Sequence, residues 1–472
     1  MTPHERKIAA IVSGLLGWFS ARARDLPWRR TRDPYAIWVS EVMLQQTQVK
    51  TVVPYWERWM RELPTIEAAA KASPDQIHKL WEGLGYYSRA RNLQQAARQI
   101  MERHDGQFPR RFEDVLALPG IGRYTAGAIC SIAFNQPTPV LDGNVIRVLA
   151  RVFGIGENPK EKETKAKLWE LAEQFVMEAS AFTPLRGDGS RQERAFRQIL
   201  VGALHSPSPC PSPPGEGKAI CRRSPTNDVR QIQTLDTPED RRMADVGFDV
   251  MHSRTKDDWP CSHFNQSLME LGALVCLPRN PQCKICPVKG FCRGFREGRV
   301  EELPNLGKRP PATPRYFVAF VVERKGRFLV RQRPAGVVNG HLWEFPNAET
   351  ESLRGDDTTA AVRMAAQLFG SAPMSILPFC TIKHSITRYR IRLAAFLVRL
   401  KNPSPGKAAD RLAGTGLRSQ ATARLALAPP KTKPKDSLRR GIAGQWRTLP
   451  ELEALAFSSA HKRILRELKA NR

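Results

Sequence analysis

The stretch that most restricts what this chain can fold into runs from Leu118 to Arg151. It opens Leu118-Pro119-Gly120-Ile121-Gly122-Arg123-Tyr124, continues as an apolar run to Phe134, and resumes at Leu141-Asp142-Gly143-Asn144 ahead of a second run ending at Arg151. A proline and two glycines this close break any helix, so the segment reads as a tight turn opening onto one helix, then a short acidic loop opening onto another. Glycines let backbone approach a ligand, and free amides at a helix N-terminus attract anions, so the turn is a candidate phosphate seat. Asp142 is then a candidate for chemistry on whatever carries the phosphate. A plain turn between helices with a capping Asp is the other reading these residues leave open.

The charge balance narrows the ligand. The 472 residues carry 74 Lys+Arg against 46 Asp+Glu, a formal net charge of +28, which points to a polyanion, nucleic acid before membrane surface. Binding to such a partner should weaken steeply with salt. No run of eighteen apolar residues occurs, so no transmembrane helix is expected. Ile8–Phe19 followed by Ala21-Arg22-Ala23 mimics a signal peptide, but Ile8, Val12, Leu15, Leu16 and Phe19 recur at the spacing of one buried helix face,. The expected location is cytoplasmic and nucleoid-associated.

Residues 1–180 read as helices joined by short loops. Asp33-Pro34 and Ser73-Pro74 each place a capping side chain before a proline at the first helical position,. The helix after Asp33 is expected from Tyr35 to about Gln48, with Glu41 among Ile37, Trp38, Val42 and Met43. Glu41 is either an exposed carboxylate or a partly buried acid with a raised pKa. Trp81–Arg91 holds two glycines, two tyrosines and two arginines at a helix entry. That composition suits a DNA-facing loop, although a turn with core aromatics has it too. A charged helix is expected from Glu161 to about Glu178.

From about 182 to 262 periodicity is lost, and Ser206–Gly217 is dense in proline, so this segment reads as an insertion of low complexity. Helical pattern returns from Phe264 to Cys276. Cys276, Cys283, Cys286 and Cys292 then fall within seventeen residues. The total of nine cysteines is odd, unlike an extracellular disulfide framework. Structural zinc usually takes two short Cys pairs, and one C-x2-C with longer arms suits an Fe–S cluster better; spacing leaves both open. Residues 300–313 read as a linker. Beyond it, strands at Tyr316–Val322 and Phe328–Val330 around a Lys325-Gly326 turn, a helix near Thr358–Phe369, strands at Phe379–Ile382 and Tyr389–Val398, and a helix at Ser458–Leu468 make a small α+β module,. Residues 401–442 read as a second, basic insertion.

Trp38–Val49, Gly83–Arg91, Leu118–Phe134, Leu141–Arg151 and the four-cysteine loop together resemble the helix-hairpin-helix DNA glycosylases of the endonuclease III superfamily, and within it the adenine DNA glycosylases of the MutY type. The resemblance covers about 5–180 and 264–295, more weakly 314–400 and the end. It implies a mostly α N-terminal catalytic region, residues 1–299, and a C-terminal α+β Nudix-like domain, residues 314–472. It implies a [4Fe-4S] cluster on Cys276, Cys283, Cys286 and Cys292. Hairpin amides at Gly120 and Gly122 would hold a DNA phosphate, Gln46 would enter the duplex, and Tyr86 would wedge beside the lesion.

The implied activity is base excision by an enzyme expected to be a monomer, acting on double-stranded DNA with A:8-oxoguanine or A:G mispairs, away from membranes. Glu41 is the expected general acid and Asp142 the stabiliser of a cationic sugar. The resemblance gives Tyr124 and Asn144 supporting roles and puts Gln266 near the adenine pocket. Bifunctional relatives place a lysine where Tyr124 stands, so a monofunctional enzyme is expected. Between Leu353 and Gly370 only Asp356 and Asp357 are acidic, so the Nudix-like module should recognise rather than hydrolyse. Where many relatives read the oxidised base through Phe-Ser-His, this chain has Ile386-Thr387-Arg388; Thr387 keeps the hydroxyl. The alternatives are another mismatch or pyrimidine-lesion glycosylase, a catalytically impaired DNA-binding relative, and a Nudix hydrolase.

Overall fold

A computed structural model describes residues 1–182, 259–307, 310–351, 358–386, 388–400 and 444–471. The expected insertion at 182–262 therefore lies outside the described residues except at its edges, and that at 401–442 lies outside entirely. In chain order the helices are α1 (Pro3–Arg22), α2 (Pro34–Leu44), α3 (Val49–Glu62), α4 (Ile66–Lys71), α5 (Pro74–Leu80), α6 (Ser88–Arg103), α7 (Phe112–Leu116) and α8 (Arg123–Phe134). They continue with α9 (Gly143–Phe153), α10 (Lys162–Ser180), α11 (Pro260–Leu274), α12 (Arg293–Arg296), α13 (Thr358–Phe369), α14 (Leu449–Ala454) and α15 (Ser459–Ala470). The strands are β1 (Thr313–Arg324), β2 (Arg327–Gln332), β3 (Trp343–Glu344), β4 (Asn347–Thr350), β5 (Ser375–Ile386), β6 (Tyr389–Arg399) and β7 (Gln445–Thr448).

Two units emerge. The first comprises Met1–Lys71 and Asn92–Arg309; the second comprises Ala72–Arg91 and Pro310–Arg472. In the helical unit α11 packs against α1, α8, α9 and α10, and α2 packs against α3 and α8. Trp38, Trp59, Phe175 and Phe264 are fully buried there. Gly127 brings α8 close to the following loop: a Cβ would sit 2.1 Å from the Pro139 carbonyl oxygen, so no other residue fits without moving backbone. The expected helix through Gln48 stops earlier, at Leu44, because Gln46 takes φ 57°, a left-handed conformation that cannot continue a right-handed helix. Among the described residues no helix is long and apolar enough to cross a membrane.

The second unit is built on a seven-stranded sheet ordered β3-β2-β1-β6-β5, with β4 also paired to β1 and β7 to β2. Strand β1 runs parallel to β6 and antiparallel to β2 and β4. The expected turn at Lys325-Gly326 has both residues at positive φ, 49° and 72°, which suits the right-handed twist of a two-residue hairpin. Alternate residues of β1 enter two cores. Ala319 and Val321 pack with Phe345, Phe457 and Ile464, whereas Val318, Phe320 and Val322 pack with Ala361 and Ala365 of α13. Helices thus cover both faces of the sheet, which is why β1 reads as a nearly continuous apolar run.

Candidate active site

Glu41 sits on α2, and its side chain is buried, at 6% exposure. Asp33 starts that helix by accepting the Tyr35 N–H at 3.0 Å, which sets Glu41 about two turns in. The Tyr124 hydroxyl, from the first turn of α8, lies 2.9 Å from Glu41 Oε2 and 3.3 Å from Met269 Sδ. Burial raises the Glu41 carboxyl to about 7; the Tyr124 hydrogen bond lowers it, nearby Asp142 adds to the rise, and Arg29 opposes it. The hydroxyl can donate to an ionised Glu41 or turn to the thioether when Glu41 carries the proton. Both states of Glu41 therefore have a partner. Burial likewise pushes the Tyr124 phenol well above its usual value, with Glu41 and Asp142 adding to the shift.

Asp142 is the N-cap of α9, so the capping role is real and not an alternative to a chemical one. Its Oδ1 accepts the Val145 N–H at 2.8 Å and its Oδ2 accepts Asn144 Nδ2 at 2.8 Å. Burial raises its pKa above the usual carboxylate range, and the donors from Val145 and Asn144 and the charge of Arg147 offset only part of that rise. Arg147 Nη2 donates to Asn144 Oδ1 at 2.8 Å and to the Gly272 carbonyl at 2.7 Å. A guanidinium can only donate, so it fixes which end of the Asn144 amide faces Asp142: the NH2 end. Gly272 makes room for this, since a Cβ there would lie 2.6 Å from Asn144 Cβ. Among the described residues the hydrogen bonds to the Asp142 side chain come from N–H donors, an arrangement suited to a carboxylate.

Gln266 lies on α11 and is joined to this site through residues that the sequence reading missed. Arg29 Nε donates to Gln266 Oε1 at 3.1 Å, and Ser262 Oγ lies 3.1 Å from Gln266 Nε2. Arg29 and Arg24 both clasp Glu270, at 3.0 Å and 2.6 Å. One signal was available: Gln266 and Glu270 are four apart and share a helix stripe. Nothing in the sequence pointed to their arginine partners on the 24–29 loop.

The remaining expected positions fall elsewhere. Gly120 has φ 78°, and a Cβ would meet Asn92 Cβ at 2.6 Å, whereas the space at Gly122 is open. Gly122 is the N-cap of α8 and supplies no side chain to its first amides, leaving them for a ligand or water. Gln46 is exposed on its left-handed turn. Tyr86, in the other unit, is 41% exposed and also has φ 47°. Non-glycine residues held in this region are strained, which is more common where a side chain is being aimed. Thr387 lies outside the described residues.

Cys276, Cys283, Cys286 and Cys292 form no disulfide among the described residues and line one hollow together with Val148 and Arg151. Among the described residues, no three Cys, His, Asp or Glu side chains close on a position for one metal ion. Arg151 is 1% exposed, and its Nη1 lies 3.3 Å from Cys276 Sγ. Its Nε and Nη1 also donate to the Leu303 and Leu277 carbonyls. A buried cation against the sulfurs fits an anionic occupant. Arg147 Nε donates to the Cys276 carbonyl at 2.7 Å, so the cysteine loop and the Asn144–Asp142 pair share one anchor.

Residues 39–174 match the HhH-GPD superfamily of base excision DNA repair proteins, and residues 317–467 match the NUDIX domain. The chain is 32% identical over 453 residues to the adenine DNA glycosylase of Rattus norvegicus, covering 84% of this chain and 72% of that protein. It is 31% identical over 454 residues to the adenine DNA glycosylase of Homo sapiens, covering 84% and 68%.

Proposed function

The chain belongs to the adenine DNA glycosylase family, and we propose that it hydrolyses the N-glycosidic bond of adenine mispaired with 8-oxoguanine or guanine in duplex DNA. The observation that carries this is a pair of carboxyl groups with opposed surroundings. Glu41 is buried against a hydroxyl and holds its proton to about pH 7, while the Asp142 carboxyl accepts hydrogen bonds from N–H donors among the described residues. A flipped adenine leaves poorly as an anion. Protonation of a ring nitrogen by Glu41 lets the C1′–N9 electron pair depart with the base. The sugar left behind is cationic, and an ionised Asp142 lowers its energy either by charge or through a transient bond to C1′. Water then adds its oxygen to C1′, its released proton replaces the one Glu41 gave up, and the product is an abasic site.

Asn144, locked by Arg147, would hold Asp142 in place, and Tyr124 would steady Glu41. Gln266, held by Arg29, would contact the adenine. The open amides at Gly120 and Gly122 would grip a backbone phosphate, with Gln46 and Tyr86 entering the stack. No amine stands at position 124 to attack the sugar, so strand scission should be inefficient and borohydride should trap little covalent complex. Cys276, Cys283, Cys286 and Cys292 would hold a [4Fe-4S] cluster, which when bound cross-links the 276–292 loop. Purified protein should accordingly absorb broadly near 400 nm, about where Fe–S charge transfer falls. The C-terminal module would read 8-oxoguanine without hydrolysing nucleotides, because α13 carries no carboxylate for Mg²⁺,. The enzyme would act as a monomer, in the cytoplasm at the nucleoid. Single-turnover excision from an A:8-oxoguanine duplex tests the core of this reading. Near-wild-type rates for both Glu41→Gln and Asp142→Asn would overturn it.

A further inference from the structure

Residues 72–91 lie within the sequence match to the HhH-GPD superfamily, yet they cluster with the C-terminal module. The ties are polar and specific. The Glu82 side chain is 4% exposed. Its Oε1 accepts the Phe457 N–H at 3.0 Å, and its Oε2 accepts Lys79 at 3.0 Å and Lys462 of α15. Lys79 Nζ in turn donates to the carbonyls of Glu453 and Leu455, at 2.6 Å and 3.1 Å. Farther along, Arg91 Nη1 donates to the Gly340 carbonyl at 3.2 Å, and the His78 and His341 rings stack with centroids 6.2 Å apart. Segments more than 370 residues apart in sequence meet on one buried carboxylate.

The same short segment presents Tyr86, and the loop around it is braced internally. Trp81 Nε1 donates to the Gly85 carbonyl at 3.0 Å, and Arg89 Nη2 donates to the Leu84 and Gly85 carbonyls at 3.2 Å and 3.1 Å. The Arg89 guanidinium also lies over both the Trp81 and Tyr86 rings. A braced loop moves as a piece, so whatever fixes its base fixes the aim of Tyr86. Glu82 is at that base.

We propose that Glu82 is a positioning residue that docks the Tyr86 loop onto the C-terminal module, so that the module recognising the oxidised base also sets the tyrosine that opens the stack beside it. A buried carboxylate holding one amide and two ammonium groups gives a directional joint, and each partner lost leaves a charge or donor unpaired. The inference rests on the reading of Tyr86 as the wedge, and the test separates the two.

Full-length protein at saturating concentration would be bound to a duplex carrying an uncleavable adenine analogue opposite 8-oxoguanine, with 2-aminopurine at the neighbouring step to report unstacking. Tyr86→Ala should abolish the fluorescence rise; if it does not, the wedge reading fails. With that control in hand, Glu82→Gln and Lys462→Met should each cut the rise by roughly threefold, and the double variant should add little, as expected for two groups in one contact. Both should also narrow the preference for A:8-oxoguanine over A:G in single-turnover excision. Lys462 lies outside residues 39–174, and its side chain is 32% exposed, so Lys462→Met keeps the test available even if Glu82→Gln folds poorly. Saturation removes the effect of weaker affinity, and a purely structural role would lower stability without changing the bound-state signal. Unchanged fluorescence and preference in Lys462→Met, with Tyr86→Ala silent, would overturn the proposal.

Discussion

Glu41 on α2 and Glu270 on α11 are both withdrawn from water, at 6% and 1% exposure, and both lie in the helical unit. Burial pushes each carboxyl upward. For Glu41 little opposes it and the pKa settles at about 7, whereas hydrogen bonds from Arg24 and Arg29 bring Glu270 down to about 2. Burial alone therefore does not decide the protonation state; the partner does. A single hydroxyl leaves Glu41 a proton to give, and two guanidinium groups make Glu270 a permanent anion. The two sites are linked, because Arg29 bonds Glu270 and Gln266 and also acts on Glu41. Arg29 is bonded to the anion at Glu270, and its charge is the smallest of the effects acting on Glu41, too small to offset burial there.

The largest effect should come from removing the proposed proton donor. Glu41→Gln should slow adenine excision by about 10²–10⁴-fold, the usual weight of a positioned general acid, measured by single turnover with DNA binding retained. A loss below tenfold would place the proton donor elsewhere. The counterpart change, Glu270→Gln, should act on stability first. It leaves two guanidinium groups facing a neutral amide, and breaking such a buried pair costs about 3–5 kcal/mol, less here because the Arg24 side chain is 32% exposed and can find water. Denaturant unfolding should show a loss of about 3 kcal/mol. No loss would mean that the clasp is ornamental.

The pH dependence of stability should separate the two glutamates by sign. Glu41 binds its proton more tightly folded than unfolded, so its contribution falls as pH rises from about 4.5 to about 7,. Glu270 behaves oppositely: its contribution is complete above about 4.5 and is lost as pH falls toward about 2,. Shifts of this size correspond to about 3 kcal/mol each, to an order of magnitude. Glu41→Gln should therefore stabilise the protein above pH 7 by up to about 3 kcal/mol and hardly at all below pH 4.5. A gain independent of pH would show that packing, not ionisation, is being measured.

The same comparison shows what the sequence could and could not convey. Glu41 was legible because an acid stood within an apolar helix segment whose start was marked by Asp33-Pro34. Asp142 was legible because a Gly-Asn loop opened the next helix, and the cysteines because their spacing is local. Gly120 was legible through the turn it must make. The Glu270 clasp was not, since its arginines lie 246 and 241 residues away in sequence and an arginine on a loop carries no mark of its partner. The Glu82 joint was hidden for the same reason. In the sheet, the run of β1 announced burial on both faces, but its parallel pairing with β6 depends on topology that periodicity does not encode.

The smallest expected effect is also the most discriminating, because it changes only Glu41's partner. The Tyr124 hydroxyl bonds the ionised form of Glu41 and so lowers its pKa against burial. Tyr124→Phe removes that bond while keeping the ring, and a lost neutral donor is worth about 1 kcal/mol, roughly one pH unit or less. The alkaline limb of the single-turnover rate, which should fall near pH 7 in the wild type, should therefore move to higher pH. The plateau below it should change little, because the acid is already protonated there. If the limb moved downward instead, Tyr124 would have to be favouring the protonated acid, for instance by accepting its proton while donating to Met269 Sδ at 3.3 Å. Glu41 would then owe its proton to a partner as well as to burial, and its contrast with Glu270 would be one between two kinds of partner.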